Sequence, residues 1–347
     1  MAQALGAGTN PSQTLSLNFK LISHHTLDGF GGVGEGMGLQ KTKDGRRIMW
    51  LGHEGPPKNF TGVDVTDPKN PRYVKFVEMP SNNWTIQLTL HDNLLFTAME
   101  RQALSWGGDP NKPFNEGVLI WDISDPENPK QLSHWKTGAT GTHRNSYPGG
   151  RYAFLSAGMP GYAGAGNILV ILDVSDPRNP KEAGRWWMPG QWKAGGETAT
   201  WKGRAHRCHH PIRMGDRLYT SYWHGGGFII DIADMSKPKT VSAIDWSPPF
   251  PWPTHSLVPI PFPIYGHRWM LVADEDVHEA DEPCLAVGAV DERELPGPLL
   301  VSDMDVAAGR AERVAGGAVR RGDLHPGVGV DLRVAAELPR SEEHTSE

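Results

Sequence analysis

At 347 residues and a net charge of −6, the chain is long enough for one or two domains and too acidic for a nucleic-acid or anionic-membrane surface. No apolar run approaches the ~18 residues of a membrane helix, and the N-terminus has neither a basic nor an apolar leader segment, so a cytoplasmic location is expected with no membrane partner. Two cysteines, Cys208 and Cys284, exclude a disulfide framework.

In chain order, residues 1–16 are polar and rich in small side chains and are expected to be disordered. Residues 17–25 read as a strand that would complete a terminal blade. Beyond them, an apolar run ending in Asp and followed by a proline-bearing turn occurs four times. The copies are GVDVTDPKNPR from Gly62, VLIWDISDPENPK from Val118, LVILDVSDPRNPK from Leu169 and FIIDIADMSKPK from Phe228. Their aligned Asp67, Asp125, Asp176 and Asp234 are spaced by 58, 51 and 58 residues. A unit of that length cannot bury its own apolar face, so several must pack together.

Each unit reads as four strands. In the third copy these are 142–148, 151–157, 169–174 and 182–187, favoured over helix by their β-branched and aromatic content and their short length. Asp-Pro supplies its own turn: the carboxylate bonds amides ahead of it, and Pro presets φ at the first turn position. Serial four-stranded antiparallel units of roughly 40–50 residues are the mark of an all-β propeller. Blades are read at 34–80, 81–138, 139–198 and 199–250, with a fifth from about 251, so about five fall within a propeller domain at 17–284.

The wording Leu-Val-Ile-x-Asp-Val-Ser-Asp-Pro resembles the LVIVD-repeat family, and four copies carry it, the last with Met235 where the others have Pro. The resemblance implies a propeller of six or seven blades and almost nothing about chemistry. Past Trp269 no aromatic residue occurs, and 285–340 is almost only Ala, Val, Gly, Leu, Arg, Pro, Asp and Glu. That composition is what a GC-rich gene gives out of frame, and 340–347 reads as a translated sequencing adapter. The native reading is therefore expected to end near 277–284, leaving the ring one or two blades short and 285–347 a disordered, non-native tail; the alternative is a genuine low-complexity tail.

Blade topology places the turns joining strands one to two and three to four on one face. Here those are short (44–45, 149–150, 215–216 and the Asp turns). The loops on the other face are long (100–115, 158–166, 189–205 and 247–253), and long loops on a rigid scaffold are where binding and catalysis are built. The histidines fall on that elaborated face. His143 precedes Tyr152 by nine residues, His209 precedes Leu218 by nine, and His255 precedes Trp269 by fourteen. All three start innermost strands lining a channel. His53 with Glu54, His224 and the pair Asp274-Glu275 close second strands at the same face, and Glu35 opens the first inner strand.

Imidazoles and carboxylates converging on one mouth suit Fe, Cu or Zn. The expected metal ligands are His143, His209, His210 and His255, with Glu35 and Glu275 as catalytic carboxylates. His53, Glu54, Trp84, Trp223, His224 and Asp274 are expected to line a ligand pocket. His206-x-x-His209-His210 has metal-like spacing, yet strand alternation lets only one side of it face the axis. The functional expectation is a metal-dependent oxidoreductase or hydrolase. The alternative is a non-catalytic module binding a small molecule or a protein at the loop-rich face. A histidine opening a strand is also often a plain channel filler, and duplicated repeats inherit residues they do not need. Gly31–Gly36 has dinucleotide-like glycine spacing but opens no helix, so that reading is poor.

Overall fold

The computed structural model describes residues 21–25, 27, 33–54, 58–80, 82–104, 107–163, 166–201, 206–245, 253–264, 267–274 and 287–291. Within them the chain is all-β and builds antiparallel blades in series. Blade one is β1 (Val33–Lys41), β2 (Arg47–His53), β3 (Lys58–Asp64) and β4 (Arg72–Glu78), paired in that order. Blade two has an interrupted inner strand, β5 (Asn83–Trp84) and β6 (Leu88–His91), laid on β7 (Leu94–Arg101), then β8 (Gly117–Asp122) and β9 (Lys130–Trp135). Blade three is β10 (Gly141–Ser146), β11 (Tyr152–Gly158), β12 (Asn167–Asp173) and β13 (Lys181–Trp186), and the pair Gly141–Glu100 joins β10 to β7, so that blades two and three share one nine-stranded sheet. Blade four is β14 (Pro211–Met214), β15 (Arg217–Ser221), β16 (Gly227–Asp231) and β17 (Lys239–Ile244). Blade five shows β18 (Thr254–Pro259), β19 (Trp269–Asp274) and β20 (Val287–Asp291), the last inside the stretch that composition set apart.

First strands of successive blades are neighbours: β1 lies against β6, β6 against β10, β10 against β14 and β14 against β18. That succession makes a propeller, with the inner strands around an axis. Two glycines of β1 have a packing role, while Gly31 and Gly32 lie outside the described residues. A Cβ on Gly36 would sit 2.1 Å from the Leu88 backbone nitrogen, and one on Gly38 would sit 2.7 Å from the Leu90 side chain. Only glycine lets blade one approach blade two this closely.

The cores lie between blades. Ile48, Trp50 and Phe60 of blade one interlock with Trp84, Leu95, Met99 and Trp121 of blade two, with Phe60 edge-on to Trp121 at 5.1 Å. Trp186 of blade three packs edge-on to Tyr222 and against Phe228 of blade four. Cys208 is buried in that same layer, and burial pushes its thiol pKa up, which makes it a core residue and not a nucleophile.

The repeat turns are built alike. Asp67, Asp125, Asp176 and Asp234 each accept the backbone N–H two residues on, at 3.0, 3.1, 3.0 and 3.0 Å. A second Asp three residues earlier does the same: Asp64, Asp122, Asp173 and Asp231 hold Thr66, Ser124, Ser175 and Ala233 at 2.9, 2.9, 3.0 and 2.9 Å. The fourth copy keeps this geometry with Met235 in place of the first proline, so the paired carboxylates hold the turn without it. One expectation fails here. Residues 21–25 form no strand, and 17–20 lie outside the described residues. Leu21 and Ile22 stay 65% and 59% exposed, and Ser23 donates to the Pro68 carbonyl at 2.6 Å.

Candidate functional site at the channel mouth

In each of the five blades the inner strand is bulged at one level, where it meets the end of the second strand. Residues 34–36 oppose Gly52, 85–87 oppose 98–99, 143–144 oppose Ser156, and His255 is the extra residue between the pairs Thr254–Asp274 and Ser256–Ala273. In blade four both His209 and His210 bond the Ser221 backbone, at 2.9 and 3.4 Å. A bulge breaks strand alternation, so two successive side chains can serve one side. The expectation that only one of His209 and His210 reaches the axis is thereby corrected. His209 meets His143, while His210 Nδ1 lies 3.5 Å from Ser256 Oγ. The same device brings Arg144 to the mouth beside His143.

The side chains form one continuous chain of contacts. Glu100, buried at the end of β7, accepts the Trp84 indole N–H at 2.9 Å and the His143 Nδ1–H at 2.6 Å, both on Oε2. His143 Nε2 faces His209 Nε2 at 3.2 Å. His209 Nδ1–H donates to the His255 carbonyl at 2.9 Å, and the Ser221 hydroxyl donates to the same oxygen at 2.6 Å. His255 Nε2 sits 3.3 Å from Glu35 Oε2, and Arg144 pairs with that same carboxylate oxygen through Nη1. Ser256 Oγ lies 2.8 Å from His255 Nδ1. Residues from all five blades therefore meet at one place.

Electrostatics follow from burial. Burial, with the neighbouring cations, lowers the pKa values of His143, His209 and His210, the last to about 3, so these imidazoles are neutral at pH 7. Burial pushes Glu100 up, but His143, Arg207 and the Trp84 indole outweigh it and hold the carboxyl below its usual range. Glu35 is likewise raised by burial and then held well below normal by His255 and Arg144, which suits an ion-pair partner better than a proton acceptor.

The remaining candidates divide. Trp84 anchors Glu100 and lies 6.3 Å from the His143 ring; Trp223, with φ at 49°, walls His209 at 6.0 Å and carries the Arg207 guanidinium 3.7 Å above its ring. His224 lies beside Trp223, half-buried, with centroids 6.0 Å apart. His53 is buried within blade one against Thr61 Oγ1 at 2.5 Å, away from the imidazole chain. Glu54 sits half-buried beside Gly34, Asp274 is buried opposite Thr254, and Glu275 lies outside the described residues.

Among the described residues no three or more His, Cys, Asp or Glu side chains are arranged to hold one metal ion. The expected set of His143, His209, His210 and His255 does not converge: His255 offers His209 its carbonyl oxygen and turns its Nε2 to Glu35, and His210 Nδ1 faces Ser256 Oγ. A cavity of about 140 Å³ between blades two and three reaches Glu100 and Arg207. That is below the ~300–1,000 Å³ of ordinary ligand pockets, so it holds waters or a very small molecule.

Sequence reasoning missed Glu100, Arg144 and Arg207. Glu100 closes the second strand of blade two, the position His53 and Asp274 occupy in blades one and five, so repeat equivalence carried the signal. Nothing in the residue pattern marks the bulges.

Residues 162–187 match the LVIVD repeat family model, so the chain carries an LVIVD repeat in its third blade. No curated protein matches. Among solved structures, the chain is similar to a candidate 6-phosphogluconolactonase from Bacteroides uniformis, with 11% identity over 75% of this chain and 68% of that one and a TM-score of 0.48. It is also similar to Sqt1 from Saccharomyces cerevisiae, with 10% identity over 80% and 67% and a TM-score of 0.47. A computationally designed protein, Ika8, gives 8% identity and a TM-score of 0.44, and the 73% of this chain that aligns spans 57% of its length. These likenesses are too distant to bear on function. No helix among the described residues is long and apolar enough to cross a membrane.

Proposed function

We propose that the chain is a metal-dependent enzyme acting on a small molecule at the channel mouth, with His143 and His209 as its imidazole ligands. One observation carries the reading. His209 Nδ1 faces a carbonyl oxygen, which only accepts, and His143 Nδ1 faces the Glu100 carboxylate, which also only accepts. Both Nδ1 atoms therefore carry hydrogen, and both neutral rings turn Nε2 lone pairs toward each other at 3.2 Å. Two lone pairs at that distance repel unless a cation lies between them. A proton shared between the two nitrogens or a metal ion relieves that repulsion, and we take the metal ion because the spacing fits one. Two imidazole nitrogens, each ~2.0–2.1 Å from one tetrahedral ion, stand about 3.3 Å apart.

The donor chemistry suits Zn, Fe or Cu, and the backing of each Nδ1–H by a carboxylate or carbonyl is what fixes tautomer and ring orientation in metal sites. Such an ion supplies a Lewis acid for hydrolysis or an oxidative centre. The chain's own residues do the rest. Glu100 holds the His143 tautomer, the His255 carbonyl holds His209, and Trp84 and Trp223 shield the pair from water. Substrate reaches the pair from the loop-rich face.

Elemental analysis of protein purified without a His tag tests this. Near-stoichiometric Zn, Fe or Cu, lost in the His143→Ala/His209→Ala variant, is the expected result. Metal-free protein, even after reconstitution, would overturn the reading in favour of a non-catalytic binding module.

A further inference from the structure

The structure assigns a second recognition element to the mouth: we infer that Arg144 is the anchor for a small monocarboxylate ligand. Arg144 is only 2% exposed, yet its Nε and Nη2 have no hydrogen-bond partner among the described residues, while Nη1 is taken by Glu35. Nε–H and Nη2–H are the two parallel donors on the side edge of the guanidinium, the edge that fits a planar carboxylate in a bidentate pair. A fixed charge buried with that edge unpaired costs free energy that a bound oxyanion returns.

The bulge at His143–Arg144 is what turns this side chain toward the site, beside Glu35 and within electrostatic reach of His143, His209 and His210. Shape decides the class of anion. A planar carboxylate presents two oxygens to the two parallel donors of the open edge, which a tetrahedral phosphate matches less well. The inference needs only Arg144 and Glu35 and does not rest on the metal reading, although it supplies that site with a substrate class.

The test is calorimetric titration of the full chain with acetate, pyruvate and inorganic phosphate, before and after EDTA treatment, with sodium chloride as control. Saturable binding of acetate or pyruvate, unaffected by EDTA and at least tenfold stronger than that of phosphate, is expected. Arg144→Gln should abolish it and Arg144→Lys weaken it at least tenfold. Glu35→Gln, at a side chain 43% exposed and so safe for folding, should strengthen it severalfold by removing a competing carboxylate. Binding unchanged in Arg144→Lys, unchanged or weaker binding in Glu35→Gln, preference for phosphate, or no saturable carboxylate binding would each overturn the inference. Loss of carboxylate binding only after EDTA would also overturn it, by moving the anion to the metal. Absence of metal with carboxylate binding intact would sink the metal reading alone.

Discussion

The two ends of each blade use opposite strategies. At the turn end, four repeats place the same residue in the same geometry: Asp67, Asp125, Asp176 and Asp234 each cap the amide two residues ahead within 0.1 Å of one another. At the mouth end, five blades repeat a backbone irregularity and fill it differently: Glu35, then Ile86, His143 with Arg144, His209 with His210, and His255. One end repeats the side chain to fix the backbone. The other repeats the backbone and leaves the side chain free to vary. Chemistry therefore collects where the repeat is preserved in shape and lost in sequence.

The largest test of this contrast is at Glu100. Replacing it with Ala strands the His143 and Trp84 donors in a buried site, and each buried donor left unsatisfied costs about 1–3 kcal/mol. Urea unfolding of Glu100→Ala against Glu100→Gln, which can still accept, should show most of the loss recovered in Gln. Equal losses would mean that Glu100 matters only as packing.

A smaller effect is expected where the mouth meets its neighbouring blade. Gly141 has φ at 99°, and a Cβ there would lie 1.9 Å from the Met99 carbonyl oxygen. Gly141→Ala should cost roughly 2 kcal/mol or more, because backbone must move to admit the methyl group. Thermal unfolding measures it, and a change under half of that would show the junction to be pliable.

The turn end should respond least. Asp67, Asp125 and Asp234 have their carboxyls held below the usual value by the amides and side chains they accept from, with Asn70, Asn128 and Ser236 the leading contributors. A lowered folded pKa means that the unfolded chain binds protons first. This contribution is full above about pH 4 and is lost as pH falls through the folded values. Asp125→Asn should lower the melting temperature by a few degrees at pH 7 and by less at pH 3, flattening the acid limb. A constant decrement at both pH values would show that the charge contributes nothing.

Much of the architecture was legible because its signals are local. Asp-Pro turns and short apolar runs placed the four strands of blade three to within two residues, and repeat equivalence put His143, His209 and His255 at one level. What lay beyond reach was register. Alternation sends His143 and Arg144, or His209 and His210, to opposite sides, and only a bulge undoes that; a bulge depends on how two strands meet and leaves no mark in either one. The imidazole count was also insufficient on its own. His255 stands where expected but contributes its carbonyl to the His209 contact, a role no side-chain pattern encodes.

The contact between Glu35 and His255 has a kinetic meaning. It joins positions 220 residues apart, and it can form only after the intervening blades have docked. Closing so distant a pair comes late in folding, well after hairpins and single blades acquire their hydrogen bonds. The ligand binding proposed at the mouth should then return more slowly on refolding than β-structure does, and would report the last step of assembly.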